Sequence, residues 1–239
     1  MTFRKWALSI LAVSAAAVFV SLGVWQLRRM EERRQQNAFL ASRRFAPEIS
    51  IEQLPADPVE GRFRRVRLSG VYDYSNEIIH TIRGRSGSPG VHILTPLLRA
   101  GNDTAVLVNR GWVYAPDGMT VDTRPWRERD TLSGIGFVET FPTGVASTPP
   151  TPTRPRSMRR LDRTALVKLF PYPIANYYVV LTDSTSNRNP ALGATPAPDV
   201  PPRVEPAPLD EGPHRNYAVQ WFSFAAISII GLVFFLRRA

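Results

Sequence analysis

Gly212-Pro213-His214-Arg215-Asn216-Tyr217-Ala218-Val219-Gln220-Trp221-Phe222-Ser223-Phe224 opens the stretch that decides the fold, and an apolar series carries it on to Arg237-Arg238-Ala239. From Tyr217 to Leu236 no residue is charged. A helix rises about 1.5 Å per residue, so about 20 residues cross the roughly 30 Å hydrocarbon core of a bilayer. Tyr217 and Trp221 stand at one end, where aromatic rings favour the headgroup boundary, and Arg237 and Arg238 close the other. The pattern predicts a membrane span over 214–236 and a short tail, 237–239.

A histidine stands at the mouth of that span. His214, Tyr217, Ala218 and Trp221 are spaced i, i+3, i+4, i+7 and share one face if the helix starts by His214. An imidazole among aromatics at an interface can ligate a haem iron. The alternative is an interfacial histidine that hydrogen-bonds lipid, water or a partner.

The start of the chain mirrors its end. A basic lead, 1–5, precedes a run from Trp6 to Leu27 without charge, and Arg28-Arg29 ends it. The run is long enough to span. A cleaved signal peptide is the rival reading, since Arg4-Lys5 precedes the apolar core and Ala15-Ala16-Ala17 offers small residues. The apolar run continues past those alanines through Val18-Phe19-Val20, which favours an uncleaved first transmembrane helix over 6–27.

Two spans make a hairpin with both termini on one side. Arginines follow the first span, but a connecting segment far longer than about 60 residues translocates largely regardless of charge. The termini are therefore expected in the cytoplasm (or matrix) and the middle outside it. The first span then leaves the membrane at Trp25-Gln26 and the second enters near Gln220-Trp221, at one depth with His214 and Tyr217. Tryptophans at such a rim are anchors. Glutamines there need a partner: Gln26 and Gln220 either bond each other or a lipid head, or line a cofactor or partner site.

The chain has 239 residues and a net charge of +10, so two spans leave room for one extramembrane domain. There is no cysteine, which excludes disulfides, cysteine-type zinc sites and Cys-x-x-x-Cys copper delivery. The excess charge, mostly arginine, points to anionic membrane lipid and an acidic partner face. Nucleic acid is the competing reading, and the two spans count against it.

Residues 28–60 read as a helical extension followed by a linker broken at Pro47, Pro55 and Pro58. Residues 61–189 read as a β-rich domain. Strands are expected over Arg62–Tyr74, Asn76–Arg83, Val91–Leu98, Thr104–Tyr114, Thr131–Phe141 and Ile174–Thr182, with Pro96 pushing its strand towards an edge. Gly101-Asn102-Asp103 makes a hairpin of the third and fourth. Ser157–Phe170 reads as a short amphipathic helix with Leu161, Ala165, Leu166 and Leu169 on one face. Pro142–Pro155 reads as an exposed connector and 190–213 as a proline-rich tether to the second span. The fold class expected is an α+β membrane protein, with a transmembrane hairpin flanking one mainly antiparallel sheet or partly closed barrel.

Catalytic motifs are missing. Gly84-Arg85-Ser86-Gly87-Ser88 fails the nucleophile elbow at its fifth residue, and there is no phosphate loop, His-Glu-x-x-His or dinucleotide fingerprint. His80 and His92 lie on strand candidates and read as structural. Gly111, inside the strongest strand, suggests a bulge or a close backbone approach. Its neighbour Arg110 reads either as an ordinary structural arginine or as a partner for a propionate or an acidic residue. The expectation is a binding or assembly protein rather than an enzyme.

Four segments, in order along the chain, carry a resemblance. Gly23-Val24-Trp25-Gln26 resembles the Gly-x-Trp-Gln signature of the surfeit locus protein 1 family, the cytochrome c oxidase assembly factors. Leu68-Ser69-Gly70-Val71-Tyr72-Asp73 resembles its glycine-containing strand. Thr95-Pro96-Leu97 with Leu107-Val108-Asn109-Arg110-Gly111-Trp112 resembles its Thr-Pro and Val-Asn-Arg-Gly-aromatic block, and His214, Tyr217, Gln220 and Trp221 resemble the start of its second span. Arg215 departs from a usual apolar residue, and Met158–Asp162 lacks the usual aromatic ahead of the aspartate. The resemblance implies a role where haem a enters the oxidase catalytic subunit. It makes His214 the candidate iron ligand, with Trp25, Gln26, Tyr217, Gln220 and Trp221 around it. Haem a synthase is a further partner it implies. The short lead is expected to hold no organellar presequence, so a bacterial inner membrane with a periplasmic central domain is the expected home. A cofactor-free scaffold that stabilises an oxidase intermediate is the alternative function.

Overall fold

A computed structural model describes residues 3–142, 144, 153–182 and 200–238. The chain divides into two compact units, Met1–Ser42 with Pro208–Ala239, and Arg43–Ala207.

The first unit holds two helices. α1 (Phe3–Arg44) takes in the first apolar run and its basic extension without a break. Arg43 and Arg44 lie in its last turn, where cations favour the carbonyl end of the dipole. α4 (His214–Arg238) holds the second run. Both are long and apolar enough to cross a membrane, and only 11% and 6% of their apolar windows are buried. A core helix of a soluble domain would bury far more of that surface. What each does bury is small: Ala16, Gly23 and Gln26 on α1, Ala218 and Ala225 on α4. A Cβ on Gly23 would lie 2.6 Å from the ring of Phe222. The missing side chain at Gly23 therefore lets the Phe222 ring of α4 approach the α1 backbone.

The second unit is a sheet closed on itself. Its elements are β1 (Ile49–Ser50), α2 (Pro58–Gly61), β2 (Arg65–Tyr72), β3 (Ile78–His80), β4 (Gly90–Arg99), β5 (Asn102–Tyr114), β6 (Thr131–Thr140), β7 (Ser157–Met158), α3 (Arg163–Leu166) and β8 (Ile174–Thr182). The order is β1-β2-β6-β8-β5-β4-β3-β7. β2 also pairs with β4 at Val71↔Leu98 and Tyr72↔Leu97, which closes β2, β6, β8, β5 and β4 into a ring. Most pairs are antiparallel, while β5–β8, β1–β2 and β3–β7 are parallel.

β5 is the strand the ring is built on, buried from Ala105 to Gly111. Val106 and Val108 pack with Val66, Leu68, Leu97, Val138 and Val179. Ala105 and Leu107, on the opposite face, pack with Ile78, Leu94 and Leu166. The period-2 geometry of a strand gives one face to each cluster.

Two expectations are corrected here. The helix expected over Ser157–Phe170 is one turn, α3, followed by a 3-10 turn over Val167–Leu169. Ser157 and Met158 instead pair with Ile79 and His80. Asp162 starts the helix by accepting a hydrogen bond from the Thr164 N–H at 2.9 Å, and Phe170 precedes Pro171, which disfavours helical backbone. Pro96 sits in an interior strand. Its carbonyl accepts the N–H of Asp73, between the stretch of β4 paired with β3 and the stretch paired with β2, so its missing donor falls where one neighbour hands over to the next. Of the connector at Pro142–Pro155, residues 143 and 145–152 lie outside the described residues, as do 190–199 of the tether and Met1, Thr2 and Ala239 of the terminal segments.

Candidate functional site at the helix rim

His214 opens α4, and its Nδ1 lies 2.9 Å from Oε1 of Gln26 on α1. An amide oxygen only accepts, so Nδ1 carries the proton and donates. In the neutral ring Nε2 then holds the lone pair, and His214 has no other hydrogen-bond partner among the described residues. Gln26 is buried, 9% exposed, so its amide oxygen is satisfied by the imidazole rather than by water.

Below this pair the helices interlock through rings. Phe19 stacks on Trp221 with centroids 5.8 Å apart and meets Phe224 at 5.7 Å, and Trp221 meets Phe224 edge-on at 6.0 Å. On the other side of the pair the contacts turn polar. Arg34 Nε and Nη2 donate to the two carboxylate oxygens of Glu211 at 2.7 and 3.0 Å, and Asn37 Nδ2 donates to the Asp210 carbonyl at 2.8 Å. Going up in number along α1, the partners go down in number along the C-terminal segment, from Phe224 through Trp221 and His214 to Asp210.

Of the residues singled out in the sequence, Gln26, His214 and Trp221 are brought into this constellation. Trp25 and Tyr217 are about half exposed and Gln220 is exposed, on faces turned from the contact. Gln26 pairs with His214 and not with Gln220. Phe19, Phe222, Arg34 and Glu211 were not singled out, and Gly23 was noted only as the glycine of the Gly-x-Trp-Gln signature. The glycine of α1 and the acidic pair Asp210-Glu211, of which Glu211 pairs with Arg34, are the signals that point to three of them, Gly23, Arg34 and Glu211.

Arg110 belongs to the second unit and is fully buried. It is the extra residue of a bulge: Ile93 pairs with Gly111 and Leu94 with Asn109. Its Nη2 donates to Glu77 at 2.7 Å, its Nε to Thr95 Oγ1 at 2.8 Å, and its Nη1 to Glu128 at 3.3 Å and to the Trp126 carbonyl. Thr95 in turn donates to Glu77 at 2.7 Å. The guanidinium lies over the rings of Tyr72 and Tyr74. Burial raises the Tyr72 hydroxyl well above the usual phenol range, and that hydroxyl has no partner among the described residues.

His80 and His92 are cross-strand partners on β3 and β4. His80 Nε2 accepts from Arg83, and Asn109 Nδ2 lies 3.2 Å from His92 Nδ1. No group of three metal-binding side chains forms among the described residues.

The sequence model of the SURF1 family matches residues 13–226. A SURF1-like protein of Monosiga brevicollis is 22% identical over 98% of this chain and 87% of its own. An uncharacterized SURF1-like protein of Mycobacterium tuberculosis is 23% identical over 91% of this chain and 77% of its own. Surfeit locus protein 1 of Mus musculus is 32% identical over 47% of this chain and 40% of its own.

Proposed function

The chain belongs to the SURF1 family, and from that premise we propose that it is a membrane-anchored assembly factor for haem-copper cytochrome c oxidase, holding haem a at His214 before the group passes to the catalytic subunit. The observation that carries this reading is the His214–Gln26 hydrogen bond, which fixes the proton on Nδ1 and leaves Nε2 as a ligand lone pair. The donor chemistry fits the group: a neutral imidazole for iron, and beside it the ring cluster of Phe19, Trp221 and Phe224 for the macrocycle. Trp25, Tyr217 and Gln220, turned from the helix contact, would meet lipid or a partner instead. When bound, haem supplies the iron; this chain supplies the ligand, its tautomer and an apolar wall.

In this reading α1 and α4 are a transmembrane hairpin in a bacterial inner membrane. The termini are cytoplasmic and the barrel is periplasmic, facing the catalytic subunit and, upstream, haem a synthase. The exposed apolar faces of both helices support a lipid surround. Arg110 is left out of the cofactor site, because Glu77 and Glu128 already compensate its charge.

The test is an optical spectrum of protein purified from cells that make haem a. A Soret band present in the native chain and lost in folded His214→Ala supports the reading. No band in the native chain, with normal oxidase assembly in a His214→Ala strain, leaves a cofactor-free scaffold.

A further inference from the structure

The second unit carries a polar cleft that nothing in the reading above uses. Its volume is about 600 Å³, and it lies between the turn after β1, the β4–β5 hairpin and the start of β8. Arg99, the last residue of β4, lines it with a side chain only 9% exposed. A guanidinium that far from water normally has a close counter-charge. Among the described residues Arg99 has one, and it is weak: Nη1 to Glu52 Oε1 is 3.4 Å long, the carboxylate is 63% exposed, and Arg99 Nε has no partner there. The other oxygen of Glu52 accepts from the Ser50 hydroxyl, the chief reason its carboxyl titrates below the usual range.

A second arginine faces the same space. Arg163, at the start of α3, has one hydrogen bond among the described residues, from Nη2 to the Ile174 carbonyl at 3.2 Å. Two guanidinium groups against one carboxylate leave the cleft one positive charge in excess. Asn176 adds a neutral amide, and Tyr177 adds an aromatic wall. Planar forks with unused N–H donors match the oxygens of a phosphate group two at a time. Amides beside them suit hydroxyls.

We propose that this cleft binds the phosphate ester of a small hydroxylated head, with Arg99 and Arg163 as its anion clamp. A free glycerol phosphate and the headgroup of an anionic phospholipid share that chemistry.

The experiment uses the full chain in detergent, titrated calorimetrically with glycerol 1-phosphate at constant ionic strength, with sodium chloride and sodium acetate as comparison salts. Saturable binding of the ester is expected, weakened at least tenfold in Arg163→Gln and in Arg99→Gln. Arg163 is exposed, so its variant keeps the test decisive if Arg99→Gln fails to fold. Arg67→Gln, at an exposed arginine outside the cleft, should bind as the native chain does. Repeating the titration in phosphatidylglycerol and phosphatidylcholine nanodiscs separates the two sources. A headgroup occupant blocks the added ester in the first and not in the second, and a free ester binds in both. The proposal is overturned if the ester binds no better than chloride, if acetate matches it, or if the folded arginine variants bind it undiminished.

Discussion

The carbonyl oxygen of Pro202 lies where a side chain on Gly111 would begin, 2.5 Å from the position of a Cβ. Gly111 has φ +147°, a conformation that L side chains rarely adopt. The segment around Pro202 is strapped along β5: the Trp112 N–H donates to the Pro202 carbonyl at 2.9 Å, and Arg203 reaches the Arg110 carbonyl. Gly111→Ala should therefore cost about 1–3 kcal/mol from backbone strain and displacement together. A urea unfolding series followed by Trp fluorescence gives the cost, and hydrogen exchange at the Trp112 amide reports whether the strap has lifted. An Ala variant with native stability and native exchange would contradict the contact.

Glu128 ties that strap to the buried cluster. Arg203 donates to both of its oxygens, at 2.9 and 2.6 Å, while Arg110 approaches one of them at 3.3 Å. Glu77 compensates Arg110 from within, 7% exposed. Removing one member of a buried pair leaves an uncompensated charge, so Glu77→Leu should lose about 3–5 kcal/mol. The double change Glu77→Leu with Arg110→Met removes both charges and should lose clearly less than the sum of the two single changes. Equilibrium unfolding of the four proteins measures the coupling. Additive losses would mean that the pair does not act as a unit.

Sequence legibility followed the range of the interaction. The two long apolar helices were legible because charge is absent over a continuous run, and the β4–β5 hairpin because its turn residues are adjacent. The Gly111 bulge was legible because a glycine inside a strand has few other reasons to be there. Arg110 left two readings open because Glu77 lies 33 positions away and Glu128 18. The partner of Gln26 was hidden at a separation of 188 positions. Ser157–Phe170 has a helical apolar spacing that the sheet overrides, since pairing Met158 with His80 buries it as well as a helix would. The parallel β5–β8 pairing has no local signature at all.

Acid should destabilise the barrel through His80 and His92. Burial, with the Arg83 charge beside it, pushes His80 down to about 3, and burial with Arg83 and Arg85 pushes His92 down to about 4. Both fall below the roughly 6.5 of an unfolded histidine. Between those values the unfolded chain binds protons that the native barrel refuses, so stability falls as pH drops from about 6.5 towards 4. The loss is on the order of 3 kcal/mol per histidine if each shift is fully expressed. Denaturation midpoints measured from pH 7 to pH 4 should decline steeply in the native chain and more gently in His92→Gln. Parallel slopes would remove His92 as a cause.

Gln26 is expected to control which nitrogen of His214 is available. As long as its oxygen accepts from Nδ1, the lone pair stays on Nε2. Gln26→Leu removes the acceptor but keeps an apolar side chain of similar length, so the helix contact survives while the tautomer is released. In the native chain at a pH where the ring is neutral, nitrogen chemical shifts should report a protonated Nδ1 and a bare Nε2. In Gln26→Leu the two forms should mix, and retention of haem a should weaken by about 10–100-fold, the usual cost of losing a ligand's orienting partner. Because the shift measurement needs no cofactor, it tests the hydrogen bond separately from the haem reading. Unchanged shifts would sink the tautomer argument, whereas changed shifts with unchanged retention would place the iron ligand elsewhere.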